Sequence, residues 1–189
     1  GAAAKAAGIA GALQDHFDAL RFGLPRPPEL AHRLDRETAG CLVLGRHRKA
    51  LAALGDLFKD GKVGKTYWAV VEGGPQDDEG TIDLPLGKRN QDRGWWMKVD
   101  PAGQPSLTTW KVMGRAAGAQ PLTWLALEPI SGRTHQLRVH CQAMPGLHLL
   151  SREIVVPLYK NKDPIRVTAP VPPQMREALM ACGWTGNES

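Results

Sequence analysis

The sequence predicts a single domain of mixed α and β structure, and three features predict it. Its 189 residues, 42% of them apolar, are enough to bury one substantial core. Three segments carry apolar residues at helical spacing: near the start, at 49–60 and near the end. Between them lie short runs rich in β-branched and aromatic residues, separated by Gly, Pro and acidic turns. This interleaving suits helices packed on a sheet. No internal repeat or low-complexity linker divides the chain, so 1–189 is read as one domain.

In chain order, Ile9, Leu13, Phe17 and Leu20 place a helix over 8–22, stopped by Gly23 and the prolines of 25–28. Cys41, Leu42, Val43 and Leu44 read as a core strand. A second helix covers 49–60, with Leu51, Leu54, Leu57 and Phe58 as its stripe and Gly61 as its stop. The run 65–71 alternates as a strand, with Tyr67, Ala69 and Val71 on one face and Thr66, Trp68 and Val70 on the other. Further strands are expected at 82–86, 107–113, 122–128, 152–157 and 165–168, with a Gly-rich turn at 114–118. Pro172 and Pro173 open a last helix, 174–181, ahead of Gly183.

Composition narrows the classes of function. Lys and Arg number 24 against 19 Asp and Glu, and the resulting net charge of +5 favours approach to a polyanion. The three cysteines are odd in number and show no C-x-x-C spacing, so neither a disulfide framework nor a zinc ribbon is indicated. A reducing cytoplasm is the simplest location. No apolar run approaches the ~20 residues that span a bilayer, and the Ala-rich start lacks the apolar block of a signal peptide.

The chemistry concentrates in three stretches. In His32-Arg33-Leu34-Asp35-Arg36-Glu37-Thr38-Ala39-Gly40 one carboxylate sits between two guanidinium groups, just ahead of an apolar run. On an extended segment Arg33 and Asp35 share a face, while His32 and Leu34 share the other. Asp35 is therefore the candidate reacting residue, against the plainer reading of a capping or surface ion pair worth little. Tyr67 is held on a strand, where a tyrosine is most often a core residue with a wet hydroxyl. If 133–140 is extended, Thr134, Gln136, Arg138 and His140 share one face and Arg133, His135, Leu137 and Val139 the other. His135 and His140 then point oppositely, so no metal site follows. A weaker signal is 88–98, which mixes cations with Trp95 and Trp96 in a composition suited to phosphate contact and base stacking.

The stretch HRLDRETAG resembles the catalytic-loop signature of the RluA-type pseudouridine synthases, with Ala39 where that family usually has Ser. Two further stretches, 65–73 (KTYWAVVEG) and 132–140 (GRTHQLRVH), resemble the family's next motifs in order and spacing, and the similarity extends to the Ala169-Pro170-Val171-Pro172 segment. The resemblance implies an α+β fold with a mixed, largely antiparallel sheet, flanking helices and an active cleft across its middle. It implies isomerisation of uridine to pseudouridine in ribosomal or transfer RNA, with no cofactor and no metal, by a protein read here as a monomer.

By the same resemblance, Asp35 is the catalytic residue, acting at C1′ or C6 as a nucleophile or removing a C2′ proton to give a glycal. Arg33 fills the place of the extruded base, Tyr67 packs against the uracil, and Arg138 pairs with Asp35. Arg133 and His135 carry over as positioning residues. The family pattern also has an opening strand ending in Asn-Lys-Pro, either lacking here or lying ahead of Gly1, and about twenty more residues in the connection after His140, so a segment is expected to be missing near 144–146.

Two other readings compete: an RNA-binding or RNA-folding protein on the same scaffold, and a hydrolase pairing His32 with Asp35. The joint presence of Asp35, Tyr67 and Arg138 weighs against the first. The opposite facing of His32 and Asp35 weighs against the second.

Overall fold

The computed structural model describes residues 13–35, 38–88, 97–132, 136–141 and 148–187. Its centre is the alternating strand β4, introduced here with the elements that precede it in the chain. Strand β1 (Glu29–Leu30) pairs with β3 (Leu44–Gly45), and β2 (Thr38–Gly40) lies between them in sequence. Helix α1 (Arg48–Lys59) follows, and then β4 (Gly64–Glu72). Its period of two sends Tyr67, Ala69 and Val71 into one buried cluster with Leu34, Leu125, Leu127, Leu137 and Leu149. Val70 and the half-buried Trp68 go the other way, to Trp124, Leu150, Ile154, Leu179 and Trp184. The sheet thus carries a core on each face.

The remaining strands extend this sheet outward. Strands β5 (Glu79–Asp83), β8 (Leu107–Ala116) and β9 (Leu122–Pro129) lie to one side of β4, and β10 (His148–Val156) and β11 (Ile165–Thr168) to the other. The order is β11-β10-β4-β9-β8-β5, with each neighbouring pair antiparallel. Strand β2 joins as a seventh, parallel to β10. Strands β6 (Leu86–Lys88) and β7 (Met97–Val99) form a separate two-stranded ribbon. The expected α+β fold with a largely antiparallel sheet is the one observed.

The helices follow their sequence signals at the ends that carry them. A 3-10 helix spans Leu13–Leu20 and buries Phe17; the part of the expected 8–22 helix before residue 13 lies outside the described residues. In α1, His47 caps the first turn by accepting the Ala50 N–H at Nδ1, and Gly61 continues at φ 67° beyond its end. Helix α3 (Pro173–Ala181) buries Met175 and Leu179, four residues apart on one face. Against them stand Trp68 and Trp124 edge to face at 4.7 Å, with the Arg152 guanidinium 4.4 Å above the Trp68 ring.

Three expectations need correction. The apolar run 41–44 is not one strand: β2 ends at Gly40 and β3 begins at Leu44. The reason is space on β10, because β2 pairs with Leu149–Ser151 while β11 takes the same edge from Glu153 onward. The chain must leave the sheet at Cys41. The expected 82–86 strand divides into β5 and β6 around Pro85, which has no N–H to donate to a ladder. The 133–140 segment is not extended over its described part. Residues Gln136–His140 form the short helix α2, whose physical reason lies in the contacts given below. The Trp95 and Trp96 pair, and residues 133–135 and 142–147, lie outside the described residues.

Gly40 is a tight point of this architecture. Its φ of 112° is one that side-chain-bearing residues rarely adopt, and a Cβ built on it would overlap the Ser151 carbonyl oxygen. Gly40→Ala is therefore expected to destabilise the fold by more than about 3 kcal/mol, since both backbone strain and overlap must be relieved. Urea denaturation checks this; an unchanged midpoint would show that β2 is not tied to β10 as described.

Candidate active site

A cavity of about 240 Å³ opens between the loop that precedes β2, the middle of β4 and the segment joining β9 to α2. The loop enters it by a simple device. Leu34 is buried in the core below, the Thr38 N–H donates to the Asp35 carbonyl at 2.9 Å, and Asp35 lines the cavity. Arg33 lines the same cavity and stays exposed. From β4, Tyr67 faces it with its ring buried.

The strict division of faces expected for an extended 32–35 segment does not hold. Residues 33–35 form no strand, and His32 lines the cavity along with Asp35. Yet His32 is committed elsewhere. Its ring stacks on Phe58 at 4.6 Å and its Nε2 accepts the Val43 N–H at 3.0 Å, so its proton must sit on Nδ1. Burial, aided by the nearby Lys65 charge, lowers its pKa to about 4. A neutral imidazole whose Nε2 is occupied holds the loop to β3 and makes a poor acid-base partner for Asp35.

Ser151 is the direct cross-strand neighbour of Tyr67 on β10, and its side chain acts on the phenol. Burial raises the phenol pKa, and the negative charge of Asp35 pushes the same way. The phenol is thus neutral at physiological pH, offering a ring face and an O–H rather than a phenolate.

Behind the cavity, α2 is held by a continuous polar chain. The Leu107 N–H donates to Ser131 Oγ at 3.0 Å, and Ser131 Oγ–H donates to Gln136 Oε1 at 2.8 Å. Gln136 Nε2 donates to the Leu107 carbonyl and to Thr108 Oγ1, at 2.8 and 2.9 Å. Thr108 Oγ1 also contacts His140 Nδ1 at 3.0 Å, while His140 Nε2 meets the Leu84 carbonyl at 3.2 Å. A carbonyl only accepts, so Nε2 carries the proton and Thr108 donates to Nδ1. Each donor in the chain then has its acceptor. Gln136 and His140, four apart, meet on one side of a helical turn, while Leu137 and Cys141 enter the core on the other. On an extended segment residues 136 and 140 would stand about 13 Å apart, too far for both side chains to meet Thr108 Oγ1, whereas one helical turn brings them together.

Arg138 is half-buried on α2, next to the cavity-lining Leu137, and is not itself among the lining residues. Arg133 and His135 lie outside the described residues. The structure therefore gathers Asp35, Arg33 and Tyr67 at one cavity. It adds three residues that the sequence reading did not single out: Lys65, Gln136 and Ser151. Lys65 could have been found, since it lies two residues before Tyr67 and so on the same face of the strand. Ser151 could not, because its partner is 84 positions away in sequence and only strand pairing joins them.

Comparison with known proteins agrees with this geometry. A family model described as RNA pseudouridylate synthase matches residues 13–143. An uncharacterized RNA pseudouridine synthase of Zymomonas mobilis is 41% identical over 139 residues, 73% of this chain and 62% of that protein. The dual-specificity RNA pseudouridine synthase RluA of Vibrio vulnificus is 39% identical over 142 residues, 72% of this chain and 56% of that protein. The chain thus matches well under the full length of either relative. The solved structure of human RNA Pseudouridylate Synthase Domain Containing 4 has the same fold, with a TM-score of 0.73 and 21% identity over 91% of this chain and 84% of that one.

The His32 environment makes stability depend on pH with a definite sign. Between pH 6.5 and about 4 the unfolded chain binds a proton at His32 that the folded chain does not, so stability falls as pH falls through this window. Urea unfolding at pH 5 is expected to give a free energy lower than at pH 7 by on the order of 1–2 kcal/mol. His32→Gln, which keeps an acceptor for Val43, is expected to flatten that dependence; an unaltered slope would place the titration elsewhere.

Proposed function

Because the chain belongs to the RNA pseudouridylate synthase family, we propose that it isomerises uridine to pseudouridine within a ribosomal or transfer RNA in the cytoplasm, acting as a monomer. One observation carries this reading: Asp35, Arg33 and Tyr67, drawn from two separate motifs, line a single cavity. The net charge of +5 supports approach to RNA. None of the described helices is long and apolar enough to cross a membrane.

The reaction breaks the N1–C1′ bond and makes C5–C1′, and a proton leaves C5 while N1 gains one. No group is donated and no electron is transferred. The target base must first leave its stack, which costs a few kcal/mol and favours a side chain that occupies the vacated place. Arg33, exposed at the mouth of the cavity, suits that role. The uracil then rests on the buried Tyr67 ring, while Asp35 acts on C1′ or C6 or removes the C2′ proton. Arg138, with Arg133 and His135, positions Asp35 and the substrate. The neutral Tyr67 phenol keeps its own proton and offers the uracil its ring face.

Pseudouridine mapping of RNA from a strain lacking this protein tests the reading. One or a few sites are expected to vanish, to return with the wild-type gene, and to stay absent with Asp35→Ala, whose turnover should fall by roughly 10³-fold or more. An unchanged map, or restoration by Asp35→Ala, would leave an RNA-binding role without this chemistry.

A further inference from the structure

Lys65 is the charged group of the cavity that the proposed chemistry does not use. It is half-buried on β4 and faces the same space as Asp35 and Tyr67. An ammonium withdrawn from water without a counter-ion is unfavourable, so such groups are either paired or functional. The ion pairs of Asp18, Asp60, Asp78 and Glu153 each go to a cation other than Lys65. Burial alone accounts for the lowering of the Lys65 pKa, with no carboxylate to oppose it.

The surroundings leave this ammonium accessible. Gly132 stands over it with no side chain, and a Cβ there would lie 3.5 Å from Nζ. His32, its titratable neighbour, is held neutral by its bond from Val43 and adds no competing cation. Asp35 shares the cavity, yet among the described residues no carboxylate forms an ion pair with the Lys65 ammonium. A neutral uracil carbonyl would compensate the charge only in part, whereas a phosphodiester supplies a full negative charge in a charge-assisted hydrogen bond.

We propose that Lys65 is a phosphate-binding group inside the cavity, taking the phosphodiester that adjoins the uridine presented to Asp35. The inference rests on the isomerase reading and adds to it a contact within the cavity that holds the extruded nucleotide by its backbone. Backbone contacts position without reading sequence, so Lys65 would serve any target uridine equally.

The test uses the full chain and RNA from the deletion strain labelled with tritium at uracil C5, following tritium release to water. Lys65→Gln is expected to raise KM about 10- to 100-fold with kcat nearly unchanged, and Lys65→Arg to restore most of the loss. The slope of log(kcat/KM) against log salt is expected to weaken by about 0.7 in Lys65→Gln. It should weaken much less in Lys160→Gln, an exposed position that controls for lost net charge. A lower kcat at unchanged KM would overturn the proposal and assign Lys65 to the chemistry at Asp35. Unchanged kinetics, or an equal effect of Lys160→Gln, would overturn it as well. No tritium release by the wild type would overturn the isomerase reading and this inference with it.

Discussion

The site depends on one backbone contact, the close parallel approach of Gly40 to Ser151. The Cys41 N–H donates to the Ser151 carbonyl at 2.9 Å, and Gly40 permits the approach by lacking a side chain. Ser151 is also the cross-strand partner of Tyr67. A single residue of β10 therefore meets both the end of the Asp35 loop and Tyr67. The role proposed for Asp35 needs such a fixture, because catalytic geometry is lost with displacements of about 1 Å.

The second constraint is the polar chain behind the cavity. Buried hydroxyl, amide and imidazole groups are stabilising when each finds a partner and unfavourable when one does not. From Leu107 through Ser131, Gln136, Thr108 and His140 to Leu84, each donor has an acceptor, and the His140 tautomer follows from the carbonyl at one end. Burial lowers the His140 pKa, consistent with a ring that is kept neutral. The network locks the five-residue helix α2, too short to persist by propensity, against β8 and the loop beyond β5. Arg138 is carried on that helix.

The electrostatics of the cavity follow from these two supports. His32 is neutral because its acceptor nitrogen is used and its surroundings disfavour charge. Tyr67 is neutral because it is buried beside Asp35. Among the described residues, the charges left facing the cavity are those of Asp35, Arg33 and Lys65. They suit a ligand that combines a neutral planar base, a sugar and an anionic backbone.

Local pattern determined much of this protein. The period-two alternation of 65–71 identified β4 and the face on which Tyr67 sits, and the helical stripe with its closing Gly61 identified α1. The order and spacing of the three motifs pointed to the family, and with it to Asp35. What the sequence could not determine was how strands compete for one edge of β10, which is why 41–44 read as a continuous strand and the parallel β2 went unseen. Nor could it show that 136–140 turns helical, since propensity over five residues is weak and the deciding bonds come from Leu107, Thr108 and Leu84, more than 25 positions away. Short-range periodicity fixes which face a side chain takes; only tertiary contacts decide which distant groups meet there, and the cavity is made of those meetings.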